Sequence, residues 1–147
     1  MAFLAKLIRL LRRDFVAYPE WNPFVRRIEG KPKSGEWLKV TLQPPAMSAI
    51  SFRSQVQPAD APSEFGWRGH LLIPDLFTGH HQFHLQVHGE VTRLHHFEQF
   101  SGILVPLMWW KIEAPSRIGF EAMNAALKAR AEGMAKSGAT QTEAVMA

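Results

Sequence analysis

The stretch that decides the fold is FTGHHQFHLQVHGEVTRLHHFEQF, residues 77–100. It holds six of the chain's seven histidines, and polar and apolar residues alternate on both sides of His88-Gly89. Alternation with a period of two is typical of a half-buried strand, and a two-residue turn joins two such strands into a hairpin. The sequence therefore predicts one long β-hairpin with His88-Gly89 as its turn.

This turn predicts which residues lie opposite each other: His81 would pair with His96, and Gly79 with Glu98. Because side chains alternate along a strand, one face of the hairpin is mostly apolar and is predicted to line a cavity. Its polar exceptions are His81, His96 and Glu98. The other face is predicted to meet solvent, and it carries His80, Gln82, His84, Gln86, Arg93 and His95.

The chain before the hairpin predicts one helix and four strands. Residues 4–15 carry an apolar stripe at helical spacing, and the prolines of the aromatic corner at 18–24 end it. After that corner the period changes to about two, with Pro and Gly turns between the runs. The four predicted strands are 24–29, 36–42, 48–56 and 63–72.

A long helix follows the hairpin, beginning irregularly after Gly102 and regular from Ser116. Its apolar stripe consists of Phe120, Met123, Leu127 and Ala131. Six antiparallel strands and one long helix bury their apolar faces when a curved sheet wraps around the helix, which is an α+β fold. We therefore predict a single domain over residues 1–135 and a flexible C-terminal tail over 136–147.

Six motifs spread over residues 8–132 carry a resemblance to a known family; they include YPEWNPF at 18–24 and HFEQFSG at 96–102. The remaining ones are 14–15, 67–69, 77–83 and 119–128. Together they resemble the START-like superfamily (SRPBCC, Bet v 1-like), in its bacterial polyketide cyclase/dehydrase-like branch. The resemblance implies the helix-grip fold, in which a cavity between the curved sheet and the C-terminal helix holds an apolar small molecule.

The sequence departs from that family at its start, because the family's first strand is missing. In the family that strand pairs with the last strand, so its absence would leave the edge of Thr92–Phe100 without a partner. We expect either that the start codon is misassigned and the true one lies upstream of Met1, or that a homodimer pairs the free edge.

The inward polar groups allow three interpretations. Opposed side chains on a hairpin have Cβ atoms roughly 5 Å apart, so His81, His96 and Glu98 are predicted to share hydrogen bonds. Arg68 or Asn124 would also satisfy the Glu98 carboxyl group. The cluster could be purely structural, could orient a ligand, or could act as general acid and base.

Composition excludes several classes of protein. The chain has no cysteine, which excludes disulfides and thiolate metal sites and agrees with a cytoplasmic location. The net charge is only +4 and the basic residues are scattered, so nucleic-acid binding is not predicted. No apolar run approaches the roughly 20 residues that span a bilayer. The first helix could lie on a membrane surface, but we expect it to be part of the core.

Neither a metal nor another cofactor is predicted. His80, His84 and His88 are spaced along one strand, where four residues span about 13 Å, too far to share one ion. No phosphate-binding loop or cofactor fingerprint occurs in the sequence.

The favoured hypothesis is a non-catalytic protein that binds or transports an apolar or aromatic small molecule, lipid-like or polyketide-like. The predicted ligand-binding residues are Trp67, His81, Phe83, Leu94, His96, Glu98, Met123 and Leu127. One alternative is a cyclase, dehydratase or isomerase that uses His81, His96 and Glu98 as catalytic groups. A second alternative is a protein-interaction module that uses the basic first helix or Trp109-Trp110.

Overall fold

The computed structural model describes residues 2–71, 73–134 and 141–146. Its helices are α1 (Ala2–Ile8), which continues as a π-helical turn (Arg9–Arg13), a 3-10 turn (Phe15–Ala17), α2 (Tyr18–Trp21) and α3 (Val105–Met134). Its strands are β1 (Val25–Glu29), β2 (Trp37–Leu42), β3 (Ile50–Val56), β4 (Glu64–His70), β5 (Thr78–His88), β6 (Val91–Ser101) and β7 (Gln141–Met146).

Strands β1 to β6 pair in chain order as an antiparallel meander, and the curled sheet packs on α3. The predicted α+β helix-grip fold is therefore confirmed. The predicted stripe of α3 is fully in the core: its residues Phe120, Met123, Leu127 and Ala131 are at most 6% exposed. Burying a large apolar side chain contributes roughly 1.5–3 kcal/mol, so this stripe is a main source of the packing energy between helix and sheet.

The N-terminal helix also belongs to the core. Leu7 and Leu11 are buried, so the apolar stripe that a membrane-surface helix would need faces the sheet and α3 instead. The wider π-helical turn ends where the Asp14 amide donates to the Arg9 carbonyl. The Tyr18 hydroxyl donates to the Leu11 carbonyl over 2.7 Å, which ties this turn to the aromatic corner.

Asn22 organises the aromatic corner. Its side-chain oxygen accepts hydrogen bonds from the amides of Phe24 and Val25, at 2.9 and 2.8 Å. This cap satisfies two backbone donors just where the chain leaves α2 and enters β1, and Asn is well suited to it because its side chain mimics a backbone carbonyl. The corner then places the Phe24 ring against Gly119 of α3.

The hairpin forms, but with a different turn from the predicted one. His88 lies opposite Val91, so the turn is Gly89-Glu90 and the prediction of His88-Gly89 is wrong. Gly89 has φ +61°, as the first central residue of a type II′ turn requires. The change moves every cross-strand partner by two residues, which leaves each side chain on its predicted face.

The edge of β6 is not free. Strand β7 runs parallel to β6 and pairs with residues 91–96, so the prediction of an unpaired edge is wrong over that range. Helix α3 provides the crossover that a parallel pair needs. Residues 141–146 of the predicted tail form this strand, whereas residues 136–140 and 147 lie outside the described part of the chain, and the flexibility of the tail stays a prediction. A homodimer through this edge would have only residues 97–101 of β6 beyond the β7 pairing.

Across the described residues, no helix combines the length and the apolar character needed to cross a membrane.

We expect Gly119→Ala to destabilise the fold by roughly 1–3 kcal/mol, because the new Cβ would overlap Cδ2 of the Phe24 ring. Gly133→Ala is the matched control in the same helix, since a Cβ there would meet nothing within 4 Å. It should stabilise the protein by roughly 0.5–1 kcal/mol. Urea unfolding of both variants measures the difference, and equal stability of the two would contradict the packing of Phe24 on α3.

Candidate ligand-binding site

A cavity of about 170 Å³ lies between the inner face of the sheet and the first half of α3. Strands β2 to β6 form one wall, the loop that carries Pro44 and Met47 forms the rim, and α3 residues from Met108 to Phe120 form the other wall. The described residues that line it are mostly apolar, and only His81, Glu98 and Lys111 carry titratable groups.

The sequence-predicted ligand-binding residues fall into two groups. Trp67, His81 and Glu98 line the cavity. The other five are at most 1% exposed and lie in the closed core rather than on the cavity wall; they are Phe83, Leu94, His96, Met123 and Leu127. The cavity is therefore displaced along the sheet from the place that the sequence predicted.

Four polar side chains form one hydrogen-bonded chain from the cavity wall into the core. Glu98 Oε2 lies 2.5 Å from His81 Nδ1, and His81 Nε2 lies 2.7 Å from His96 Nε2. His96 Nδ1 lies 2.7 Å from Asn124 Oδ1. We call this the Glu98–Asn124 chain; it links β5, β6 and α3 through side chains.

The Asn124 end sets the direction of the donors. Because Asn124 Oδ1 is an acceptor, His96 donates from Nδ1 and, as a neutral ring, accepts at Nε2. His81 then donates from Nε2, which leaves its Nδ1 as the acceptor of a proton on Glu98 Oε2. Each of the three contacts then has one donor and one acceptor, with one proton between Glu98 and His81 and no net charge on the four side chains.

The surroundings of the chain favour this uncharged state. His81 stacks on Trp67 with ring centroids 4.7 Å apart, and His96 stacks on Phe83 at 4.6 Å. Burial lowers the pKa of His81 to about 3 and lowers the pKa of His96 well below its ordinary value. Burial also raises the pKa of Glu98 to about 8. The contact between Glu98 and His81 is thus a hydrogen bond from a carboxylic acid rather than an ion pair.

Glu98 lies in the cavity wall, and its second oxygen, Oε1, lies beside Gly79 of the opposite strand. Both Glu98 and Gly79 line the cavity, and a Cβ at Gly79 would lie 2.6 Å from Glu98 Oε1. The Glu98 side chain is 12% exposed against 5% for His81, so it is the more accessible end of the pair. Among the described residues, Oε1 has no hydrogen-bond partner. Glycine at position 79 therefore leaves room for this carboxyl oxygen between the two strands.

Sequence reasoning identified the three inward polar groups but not how they connect. Glu98 lies opposite His81 rather than Gly79, which brings the two into contact. Asn124 joins the cluster by binding His96 rather than Glu98, and Arg68 lies on the exposed face of the sheet. Lys111 was missed, because it lies in the irregular start of the last helix, where no face could be assigned.

Within residues 2–71, 73–134 and 141–146, no group of three or more His, Asp and Glu side chains is arranged to hold a metal ion.

The raised pKa of Glu98 predicts that stability falls as the pH rises above 6.5. The folded protein holds a proton up to about pH 8, whereas an unfolded Glu releases it near 4.5. For one proton the slope is at most about 1.4 kcal/mol per pH unit, and the fall ends above pH 8. Below pH 6.5 the lowered pKa values of His81 and His96 act in the opposite direction, so stability should rise with pH up to about 6.5.

Denaturant unfolding of the wild type and of Glu98→Gln at several pH values measures this effect. The Gln side chain can donate to His81 without titrating. The free energy of unfolding of the variant should therefore lose the decrease between pH 6.5 and 8 that Glu98 causes in the wild type. Parallel curves for the two proteins would contradict a protonated Glu98.

No family model matches the chain, and no curated protein matches it. A solved structure does match: the crystal structure of the di-domain ARO/CYC StfQ from the steffimycin biosynthetic pathway, with a TM-score of 0.65 and 14% sequence identity. The match covers 91% of this chain and 48% of the StfQ chain, so this chain spans about half the length of that protein. At such low identity, the likeness shows that the two share the helix-grip fold.

Proposed function

We propose that the protein binds an apolar, aromatic small molecule of polyketide-like or lipid-like character in the cavity between the sheet and α3. The observation that carries this proposal is an apolar cavity with a single carboxyl group, Glu98, in its wall. Binding sites for small molecules commonly combine apolar walls with a few polar groups that orient the ligand. The fold shared with an ARO/CYC protein supports a polyketide-related ligand and placement in the polyketide cyclase-like branch of the START-like superfamily.

The dimensions of the cavity favour a small ring system. A dry cavity of about 150 Å³ can hold one benzene molecule, and this one measures about 170 Å³. Its walls are rich in aromatic side chains, which stack on planar ligands at little cost in conformational entropy. They include Phe24, Trp67, Phe77, Phe100 and Phe120. A larger ligand would extend past the rim at Met47, which is 41% exposed.

A second candidate function is acid–base catalysis of a cyclase, dehydratase or isomerase type. The Glu98–His81 hydrogen bond at the cavity wall favours it, because a carboxyl group with a pKa of about 8 can both give and take a proton near neutrality. Glu98→Gln separates the two functions. A binding protein would retain its affinity in this variant, whereas an enzyme would lose turnover.

To test the binding function, the protein is purified without denaturation and its bound molecules are identified by native mass spectrometry. Met108→Trp is expected to abolish retention, because Met108 lines the cavity and the larger side chain would fill it. Leu107→Trp is the matched control, since Leu107 is the preceding residue of α3 and is 71% exposed. We expect it to retain the ligand as the wild type does.

Affinity for an added aromatic probe, such as para-ethylphenol, should follow the same order, with at least a tenfold loss for Met108→Trp. If neither retained molecules nor probe binding depended on Met108, the cavity would not be the binding site.

A further inference from the structure

We infer that the cavity selects ligands that donate a hydrogen bond, the hydroxyl group of a phenol or an enol, and that Glu98 Oε1 is the acceptor. This inference rests on the proposed function, since it names the chemical class that the same cavity would take. Ligands of the same shape that carry only an acceptor, such as an ether or a ketone, would be rejected.

The first step is that Glu98 Oε2 is already committed. It lies 2.5 Å from His81 Nδ1, and a contact of this kind requires one proton between the two atoms. Burial favours this proton on Oε2, with a neutral His81, over the alternative position on Nδ1, with a carboxylate. In both positions Oε1 carries no hydrogen and offers only lone pairs.

The second step is that Asn124, at the other end of the Glu98–Asn124 chain, keeps the proton off Oε1. A Glu98 that carried its proton on Oε1 would need His81 to donate from Nδ1 and, as a neutral ring, to accept at Nε2. His96 would then donate from Nε2 and would place a lone pair of Nδ1 against the lone pairs of Asn124 Oδ1, only 2.7 Å away. The observed orientation of Asn124 disfavours that arrangement.

The third step is that Oε1 lies beside Gly79, which lines the cavity together with Glu98, and has no partner among the described residues. Gly79 lacks the Cβ that would crowd this oxygen, and no described residue donates to it. A ligand that displaces water from this oxygen without donating to it leaves a desolvated acceptor. A site built to hydrogen-bond a hydroxyl group of its ligand discriminates strongly against analogues that lack this hydroxyl group.

Three probes of nearly equal shape test the inference on the wild-type protein at pH 7: para-ethylphenol, para-ethyltoluene and para-ethylanisole. The first donates a hydrogen bond, the second replaces the hydroxyl group by a methyl group, and the third only accepts. Isothermal titration calorimetry should show para-ethylphenol binding at least tenfold more tightly than either of the others.

Variants of Glu98 assign the selectivity to this residue. Glu98→Gln should keep the preference for para-ethylphenol, because its NH₂ group can donate to His81 Nδ1 while Oε1 remains an acceptor. Glu98→Leu should bind all three probes within about threefold of one another, because it has no acceptor. Glu121→Leu, at an exposed position of α3, is the matched control and should behave like the wild type.

Gly79→Ala tests the same contact from the opposite strand and also serves if Glu98→Leu does not fold. Its Cβ would lie 2.6 Å from Oε1, so the carboxyl group must move and the preference for para-ethylphenol should fall at least threefold. Equal wild-type affinities for the three probes would overturn the inference and leave the proposed function intact. Absence of binding for all three would overturn both.

Discussion

The chain of hydrogen bonds from Glu98 to Asn124 is the constraint on which the rest of the structure depends. It places three titratable groups and one amide inside an aromatic core, where each unsatisfied group would cost roughly 1–3 kcal/mol. The cost is offset only if all four groups pair with one another. That requirement fixes the register of β5 against β6 and the rotation of α3 above them.

The same constraint links the core to the cavity. His96 and Asn124 are buried, whereas Glu98 lies in the cavity wall. The Glu98–Asn124 chain therefore has one end in the closed core and the other at the cavity. The aromatic rings around the two histidines exclude water and keep the rings neutral. As a result, a carboxyl group that would be ionised in water stays protonated beside an apolar cavity. The pairing explains why so polar a cluster is compatible with an apolar cavity wall.

The outer edge of the sheet is a second constraint on the fold. The meander from β1 to β6 leaves the outer edge of β6 exposed to pairing by other chains. Here the C-terminal segment 141–146 returns past α3 and pairs with the first half of that edge in the parallel sense. A Gly/Ser/Thr-rich composition around residues 137–142 gave no local indication of this strand, because its partner lies about fifty residues earlier in the chain.

The sequence by itself determined the order of the elements up to α3, the curved sheet on a long helix, and the inward face of the hairpin, because periods of two and 3.6 are local properties. It also singled out His81, His96 and Glu98, since each interrupts an apolar face. Tertiary structure decided the turn at Gly89-Glu90, the position of the cavity, the strand at 141–146 and the bond from His96 to Asn124. These depend on contacts between segments distant in sequence, where competing partners differ only in three-dimensional fit.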